Sequence, residues 1–440
     1  MKTNLLLTYL RVSLIFYFLF LNFLTKAQDV VFSEDFNTSA GSTYTITNGP
    51  IGTNNLWSMN RSGADFGGGI HLGNLNLSND GSGAANQSGW IFASTQTSGF
   101  ASPYNQTLLA NSGLLTWTFN MRQTQSNPSG FAAGGYGAAF ILAGSNGTTN
   151  LSGTGYAVML GNSGTTDPIR LVRYNAGIRN FTSLLTSNTT GLTDFGTHFL
   201  SVKVTYNPVN STWQLFVRND GTTAFQDPSG NGLTLQGSVV NNTYTNTPLS
   251  LIGGFWNAGT ATSQRAFFDN VKVTIAKPTL INLTPSSAIA GTGAFSLGLT
   301  GTNFTPSSVV RWNGSNRTTT YISPTQLTAA IAATDLQLPG DFPITVANGL
   351  SISNSQIFEV DPAGVPNLVL STNSLAAFST TSGTASSFLS YTISGENLTA
   401  NAVVTAPANF ELSSNGGVSY ADNLTLIRNG LQLTGQPITI

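Results

Sequence analysis

Apolar residues recur at every second position through much of the chain, in short runs broken by Gly, Asn, Ser, Thr and Pro. Residues 114–121 (LLTWTFNM) put Leu115, Trp117, Phe119 and Met121 on one face, the period of a half-buried strand. Residues 136–142 and 156–160 are short apolar runs flanked by glycines, as buried strands are. Residues 169–174 (IRLVRY) alternate apolar and basic side chains. Residues 199–206 (FLSVKVTY) and 213–217 (WQLFV) are separated by the turn cluster Asn207-Pro208-Val209-Asn210, and Asn219-Asp220-Gly221 predicts the next hairpin turn. No segment keeps a helical period with caps. The pattern predicts an all-β chain of many short strands, arranged as sandwiches.

The N-terminus departs from this pattern. Lys2 and Arg11 flank a short apolar lead, residues 12–24 (VSLIFYFLFLNFL) are almost wholly apolar, and small residues follow up to Ala27. This is the layout of an export signal over residues 1–27, with a mature chain starting at Gln28. As a membrane anchor the apolar core is short for a hydrocarbon layer of about 30 Å, and extending it backwards would bury Arg11. No later run is long enough to span a membrane. Only 8% of the 440 residues are charged and the net charge is -1, so there is no basic field for nucleic acid. Cysteine is absent, which excludes disulfides and thiolate chemistry. The 47 glycines, with Asn, Ser and Thr, supply turns and polar strand faces.

Residues 28–276 read as one large β domain. Its ends look paired: residues 32–36 (FSEDF) open it and residues 267–273 (FFDNVKV) close it. With the middle runs 137–142, 155–160 and 202–206 followed by Trp213, this resembles the concanavalin A-like, laminin-G-like jelly rolls of bacterial extracellular proteins. The resemblance implies that the first and last strands lie side by side. Lys277-Pro278 marks a boundary. Residues 277–361 carry Ile281-Asn-Leu-Thr-Pro285, Phe295-Ser-Leu-Gly-Leu299, Thr300-Gly301-Thr302-Asn303-Phe304 and Val310-Arg-Trp-Asn-Gly314, and resemble the TIG/IPT immunoglobulin-like domain. That implies a small sandwich without an enzymatic site, with Trp312 as packing. In residues 365–440, Thr392-Ile-Ser-Gly395-Glu-Asn-Leu-Thr399 echoes residues 299–305, and residues 407–413 resemble sandwich repeats of large Bacteroidetes-type secreted proteins. This last stretch reads as a second Ig-like sandwich, truncated, with a sorting or catalytic domain expected beyond it.

Few residues offer chemistry. Residues 28–276 hold a single glutamate, Glu34, and no strand carries the carboxylate array that glycoside hydrolysis needs. Two histidines, His71 and His198, make neither a triad nor a zinc site. The glycine-rich residues 66–69 lack the lysine of a phosphate loop and read as a loop. Calcium is the ion that suits such oxygen ligands. The jelly-roll resemblance implies a structural Ca²⁺ tying the first strand to the last, through Glu34 or Asp35 with Asp269. Residues 79–82, with Asp80, form a second candidate loop. Trp57, Trp90 and Trp256 lie in Gly/Asn/Ser-rich, loop-like contexts and are candidates for stacking on sugar rings, with Tyr104 and Asn105 beside them. The expectation is a secreted or surface-exported, non-catalytic binding or adhesion protein: a jelly roll that recognises a glycan or a surface protein, followed by Ig-like spacers. The alternatives are the front of a larger secreted hydrolase and a purely structural stalk.

Overall fold

The computed structural model describes residues 28–37, 44–80, 87–145, 152–259, 263–381 and 384–440. The expected export signal, and Gly81 and Ser82 of the second calcium candidate, lie outside the described residues. The chain is all-β, as its pattern predicts, with no α-helix among the described residues. It divides into two compact units, residues 1–278 with 348–352, and residues 279–347 with 353–440.

The first unit contains the strands β1 (Gln28–Glu34), β2 (Gly49–Ile51), β3 (Trp57–Ser62), β4 (Gly67–His71), β5 (Asn74–Ser78), β6 (Gly89–Gln96), β7 (Leu115–Gln123), β8 (Gly137–Gly144), β9 (Gly155–Leu160), β10 (Ile169–Tyr174), β11 (Phe181–Thr186), β12 (Phe199–Asn207), β13 (Thr212–Gly221), β14 (Thr234–Val240), β15 (Leu251–Ala258) and β16 (Arg265–Ala276). One sheet runs β14-β13-β12-β7-β16-β5-β4, with β1 also on β16; the other runs β11-β10-β9-β8-β15-β6-β3-β2. This is a jelly-roll sandwich, and its first and last strands pair, Gln28 opposite Ala276 and Glu34 opposite Val271. The hairpin at Asn207–Thr212 forms where its turn residues predict. Asn219, Asp220 and Gly221 instead belong to β13, and the connection to β14 is longer. Residues 67–69 are strand rather than loop: a Cβ on Gly68 would sit 2.8 Å from the Asn76 carbonyl oxygen, so glycine allows close strand approach there.

Strand alternation sorts the side chains. On β9, Tyr156, Val158 and Leu160 face the core between the sheets, while Ala157 and Met159 join a second apolar cluster. An aromatic spine bridges the sandwich. Phe119 of β7 stacks on Phe140 of β8 with centroids 4.3 Å apart. Trp213 stacks on Trp117 at 5.8 Å and on Tyr156 at 4.3 Å, and its indole N–H donates to the Asn241 carbonyl at 3.0 Å. Without disulfides, this packing carries the stability of the unit.

The second unit contains β17 (Thr279–Thr284), β18 (Ser287–Ile289), β19 (Phe295–Thr302), β20 (Ser308–Trp312), β21 (Ser315–Asn316), β22 (Thr319–Ser323), β23 (Gln326–Ile331), β24 (Gly340–Asn348, all but its last residue), β26 (Gln356–Asp361), β27 (Asn367–Leu370), β28 (Ser390–Glu396), β29 (Ala402–Thr405), β30 (Asn423–Leu426) and β31 (Leu433–Thr439), while β25 (Ser351–Ile352) falls in the stretch assigned to the first unit. Strands β17 to β26 form a four-stranded and a six-stranded sheet around one core, in which Trp312 packs on Phe342 and Phe358. Strands β27 to β31 form a three-stranded and a two-stranded sheet around another. The repeated Gly-x-Asn motif has one geometry in both. Asn303 and Asn397 take left-handed φ values of 59° and 57°. A Cβ on Gly301 would meet the Phe304 ring at 2.5 Å, and one on Gly395 would meet Leu398 at 2.7 Å. The asparagine turns the chain, and the glycine admits the apolar side chain that follows it.

Because Trp213 is fully buried at the centre of the spine, Trp213→Ala is expected to destabilise the first unit by about 3–5 kcal/mol in urea-unfolding measurements.

Candidate functional site at the seam of the first and last strands

Strand β16 has to satisfy two partners along one edge. Arg265 to Phe268 pair with β5, and Val271 to Ala276 pair with β1. Asp269 and Asn270 fall at the change-over. On the opposite edge, Asp269 faces Asn120 and Lys272 faces Thr118 of β7, so β16 carries one extra residue, a β-bulge. Asn270 absorbs it with φ 48°, and Phe36, just past β1, takes φ 55°. Short acceptor side chains hold these turns. Asp269 Oδ1 accepts from the Asn270 amide at 2.7 Å, Glu34 Oε1 from the Phe36 amide at 2.9 Å, and Asp35 Oδ1 from the Asn37 amide at 3.1 Å.

A polar cleft of ≈ 260 Å³ lies over the seam, lined by Ser33, Glu34, Asp35, Thr118, Asn270 and Lys272, with Asp227 and Pro228 on its other wall. Burial pushes the Asp269 carboxyl up to about 7; the Asn270 amide opposes this, and the charges of Asp35 and Glu34 add to it. Asp227 is held below its ordinary value by the hydroxyl and amide of Ser229. Behind the cleft runs a hydrogen-bond chain. Asn270 Nδ2 donates to Asn120 Oδ1 at 2.8 Å, Asn120 Nδ2 donates to Ser201 Oγ at 3.0 Å, and the Ser201 hydroxyl donates to Asp220 Oδ2 at 2.7 Å. Arg218 Nε donates to Asp220 Oδ1 at 2.6 Å, and Arg218 Nη2 donates to the Asp227 carbonyl at 3.0 Å, fixing the loop that forms the far wall. Asn120, Ser201, Arg218 and Asp220 are absent from the sequence-based candidates. Their signal was present as polar residues at alternate positions of β7, β12 and β13, where side chains two apart share a face.

Glu34 lies opposite Val271 at the end of the β1–β16 pairing, and the charges of Glu34 and Asp35 act on Asp269. Asp80 is exposed at the end of β5, and its charge acts on Asp65 and Tyr44 instead. The tryptophan expectation is corrected. Trp57, Trp90 and Trp256 lie on β3, β6 and β15 rather than in loops, with 0%, 8% and 0% of their surface exposed. Trp57 packs between Phe32 and Phe36, and Trp256 against Tyr136, so these rings offer no face to a sugar. Tyr104 is half-buried against Phe100, and Asn105 is an exposed turn former whose Oδ1 accepts from the Thr107 amide at 2.9 Å. The outer face of the second sheet is closed by the chain itself. Phe131 packs on Phe255, and Asn257 Nδ2 donates to the carbonyls of Ala132 at 3.0 Å and Gly135 at 2.8 Å while its Oδ1 accepts from Arg179.

The donor chemistry of the seam suits a hard cation: oxygen ligands, net negative charge, and a carboxyl whose ionisation its neighbours oppose. Among the described residues, however, no three His, Cys, Asp or Glu side chains are grouped to hold a metal ion. An ion bound by Glu34, Asp35 and Asp269 would therefore depend on carbonyl or water oxygens as well. No described helix is long and apolar enough to cross a membrane.

No protein-family model matches the chain, and no curated protein matches it in sequence. Among solved structures, the metal-free lectin I-B4 of Griffonia simplicifolia is similar with a TM-score of 0.33 at 11% identity, over 53% of this chain and 98% of that one. The CBM2 module of the evolved Dit of Lactobacillus casei BL23 phage J-1 gives 0.34 at 12% identity, over 57% and 97%. Peanut lectin gives 0.32 at 14% identity, over 53% and 98%. At these scores the likeness carries no argument about a ligand.

An unfolded aspartate titrates near 4, and Asp269 in the fold near 7. Between those values the folded chain binds more protons than the unfolded one, so ionising Asp269 lowers stability as pH rises through this window. Asp269→Asn is expected to flatten the fall in unfolding temperature from about pH 4 to 7. Asp167, raised to about 6 by burial, and Asp65, also raised by burial, contribute to the slope that remains. An unchanged profile in the variant would contradict the assignment.

Proposed function

We propose that this is an exported, non-catalytic binding protein whose jelly roll recognises a glycan at the seam cleft, with the following sandwiches as spacers. The observation that carries this reading is the cleft itself, where carboxylates, an amide, hydroxyls and the Lys272 ammonium surround one cavity. Such a lining suits a ligand made of hydroxyl groups, each able to donate and accept. With the tryptophans buried, recognition rests on hydrogen bonds rather than on ring stacking. Calcium fits as the ion that joins Glu34 and Asp35 to Asp269, relieving the repulsion among them and rigidifying the wall of the cleft.

One observation favours a second reading. A carboxyl raised to about 7 by burial suits the general acid of glycoside hydrolysis. Against it, Glu34, Asp35 and Asp269 each accept a hydrogen bond from a backbone amide one or two residues away, a structural role that fixes them in turns.

The test is a glycan array probed with the purified chain from residue 28 to 440, with calcium or with EDTA, and with the Glu34→Gln/Asp269→Asn variant. Specific binding that disappears both in EDTA and in the variant is expected. A silent array from folded protein would remove the glycan reading, and release of reducing sugar from a bound glycan would favour the hydrolase.

A further inference from the structure

We propose a calcium site, separate from the seam, at the open end of the hairpin of β4 and β5, held by the carboxylates of Asp65 and Asp80. Gly67 and Ser78 form the pair at that end, and Asp65 and Asp80 stand two residues beyond them, one on each arm. Two further segments close around the same place. On β16, Arg265 lies opposite Ser78, and the Asn79 amide donates to the Gln264 carbonyl at 3.2 Å. On the other side Thr45 and Gly68 exchange two backbone hydrogen bonds of 3.0 Å, which brings in Tyr44. The Arg265 guanidinium lies over the Tyr44 ring at 5.9 Å, so the two segments meet at this end of the hairpin.

Asp65 is the group that asks for a ligand. It is 0% exposed, yet among the described residues neither of its carboxylate oxygens accepts a hydrogen bond. Two other buried carboxylates are satisfied from the backbone: Glu34 accepts from the Phe36 amide at 2.9 Å and Asp167 from the Asn162 amide at 3.0 Å. The buried Tyr44 hydroxyl beside Asp65 is likewise without a partner. A buried carboxylate left in this state is costly. Burial raises the Asp65 carboxyl, and the charge of Asp80 adds to this; the Gln87 amide, which approaches without closing a hydrogen bond, opposes it. No side-chain cation answers the charge. Among the described residues the ion pairs lie elsewhere. Arg61 Nη1 is committed to the carbonyls of Gly63, Ala64 and Phe66. A proton would neutralise Asp65 alone, whereas a divalent cation between Asp65 and Asp80 answers both carboxylates. Calcium suits them because it takes oxygen ligands in flexible geometry and completes its shell with carbonyls or waters. Magnesium demands near-ideal octahedral geometry and keeps several waters, for which a fully buried carboxylate leaves little room. The ion would pin the Tyr44 stretch and the start of β4 to the end of β5.

The test uses the chain from residue 28 to 440 carrying Glu34→Gln/Asp269→Asn, so that an ion at the seam does not contribute. After stripping with EDTA, bound calcium is counted by equilibrium dialysis, and the unfolding temperature is followed with and without calcium. This chain is expected to bind calcium and to unfold at higher temperature when it does. Adding Asp65→Asn or Asp80→Asn should each weaken the binding by about tenfold or more and remove the thermal response. Asp80 is exposed, so its variant decides the matter if Asp65→Asn fails to fold. Terbium in place of calcium should luminesce through Tyr44, with emission that drops in Tyr44→Phe. The proposal is overturned if the stripped chain takes up no calcium, if magnesium competes equally, or if calcium binding survives Asp80→Asn. An Asp65→Asn variant that is more stable than its parent in EDTA, from a parent indifferent to calcium, would also overturn it and leave Asp65 as a buried neutral carboxyl.

Discussion

Much of the first unit depends on how one edge of β16 is shared. The strand is twelve residues long and is bordered by β7 along most of its length. Its other edge is divided between β5 and β1, so the hairpin of β4 and β5 and the first strand of the domain lie end to end beside it. A straight ladder cannot pass from one partner to the next without a break. The extra residue at Asp269–Asn270 is that break, and it needs a residue that tolerates left-handed backbone and acceptors that take up the turned amides. Asparagine and the three carboxylates meet these needs. The polar cleft is thus a consequence of topology before it is a site.

The low charge of the chain makes this cluster conspicuous. With 8% charged residues there is little electrostatic field elsewhere. Among the described residues the ion pairs are Arg218–Asp220, Lys277–Asp29 and Arg317–Asp335. Cohesion comes from close packing of Trp, Tyr and Phe and from Asn, Ser and Gln side chains that satisfy buried backbone, as Asn111 and Asn257 do. Burial is what raises the Asp269 carboxyl most, and the charges of Asp35 and Glu34 add to it.

The alternation along β7 and β10 was legible as a period of two, β9 was legible as an apolar run because it is buried on both faces, and the pairing of the ends was legible through the jelly-roll resemblance. The burial of the tryptophans was not. Trp57, Trp90 and Trp256 sit among Gly, Asn and Ser, which read as loop, but the rings that cover them, such as Phe36 and Tyr136, come from other segments and leave no trace beside them in sequence. Asp220 was misread for a related reason. Asn219-Asp220-Gly221 has turn chemistry, yet Arg218 two residues earlier shares its strand face and holds it in β13. The Ser201 hydroxyl of β12 also donates to Asp220, and local propensity loses where such a distant partner adds a stronger interaction.

The closed outer face of the second sheet bears on where a ligand can act. A broad sheet face is the natural groove of a two-sheet fold, but here Phe131, Phe255 and Trp90 fill it and Arg179 reaches Asn257 across it. Opening that face would expose an apolar cluster and break several buried hydrogen bonds, each costing on the order of 1 kcal/mol or more to leave unmade. The seam asks for no such rearrangement, since its carboxylates, amide and ammonium already line a cavity. Binding energy is gained most readily where polar groups are held in place by the fold and keep acceptor capacity beyond the bonds that hold them. In the first unit that condition is met at the interruption of β16, not on the faces of its sheets.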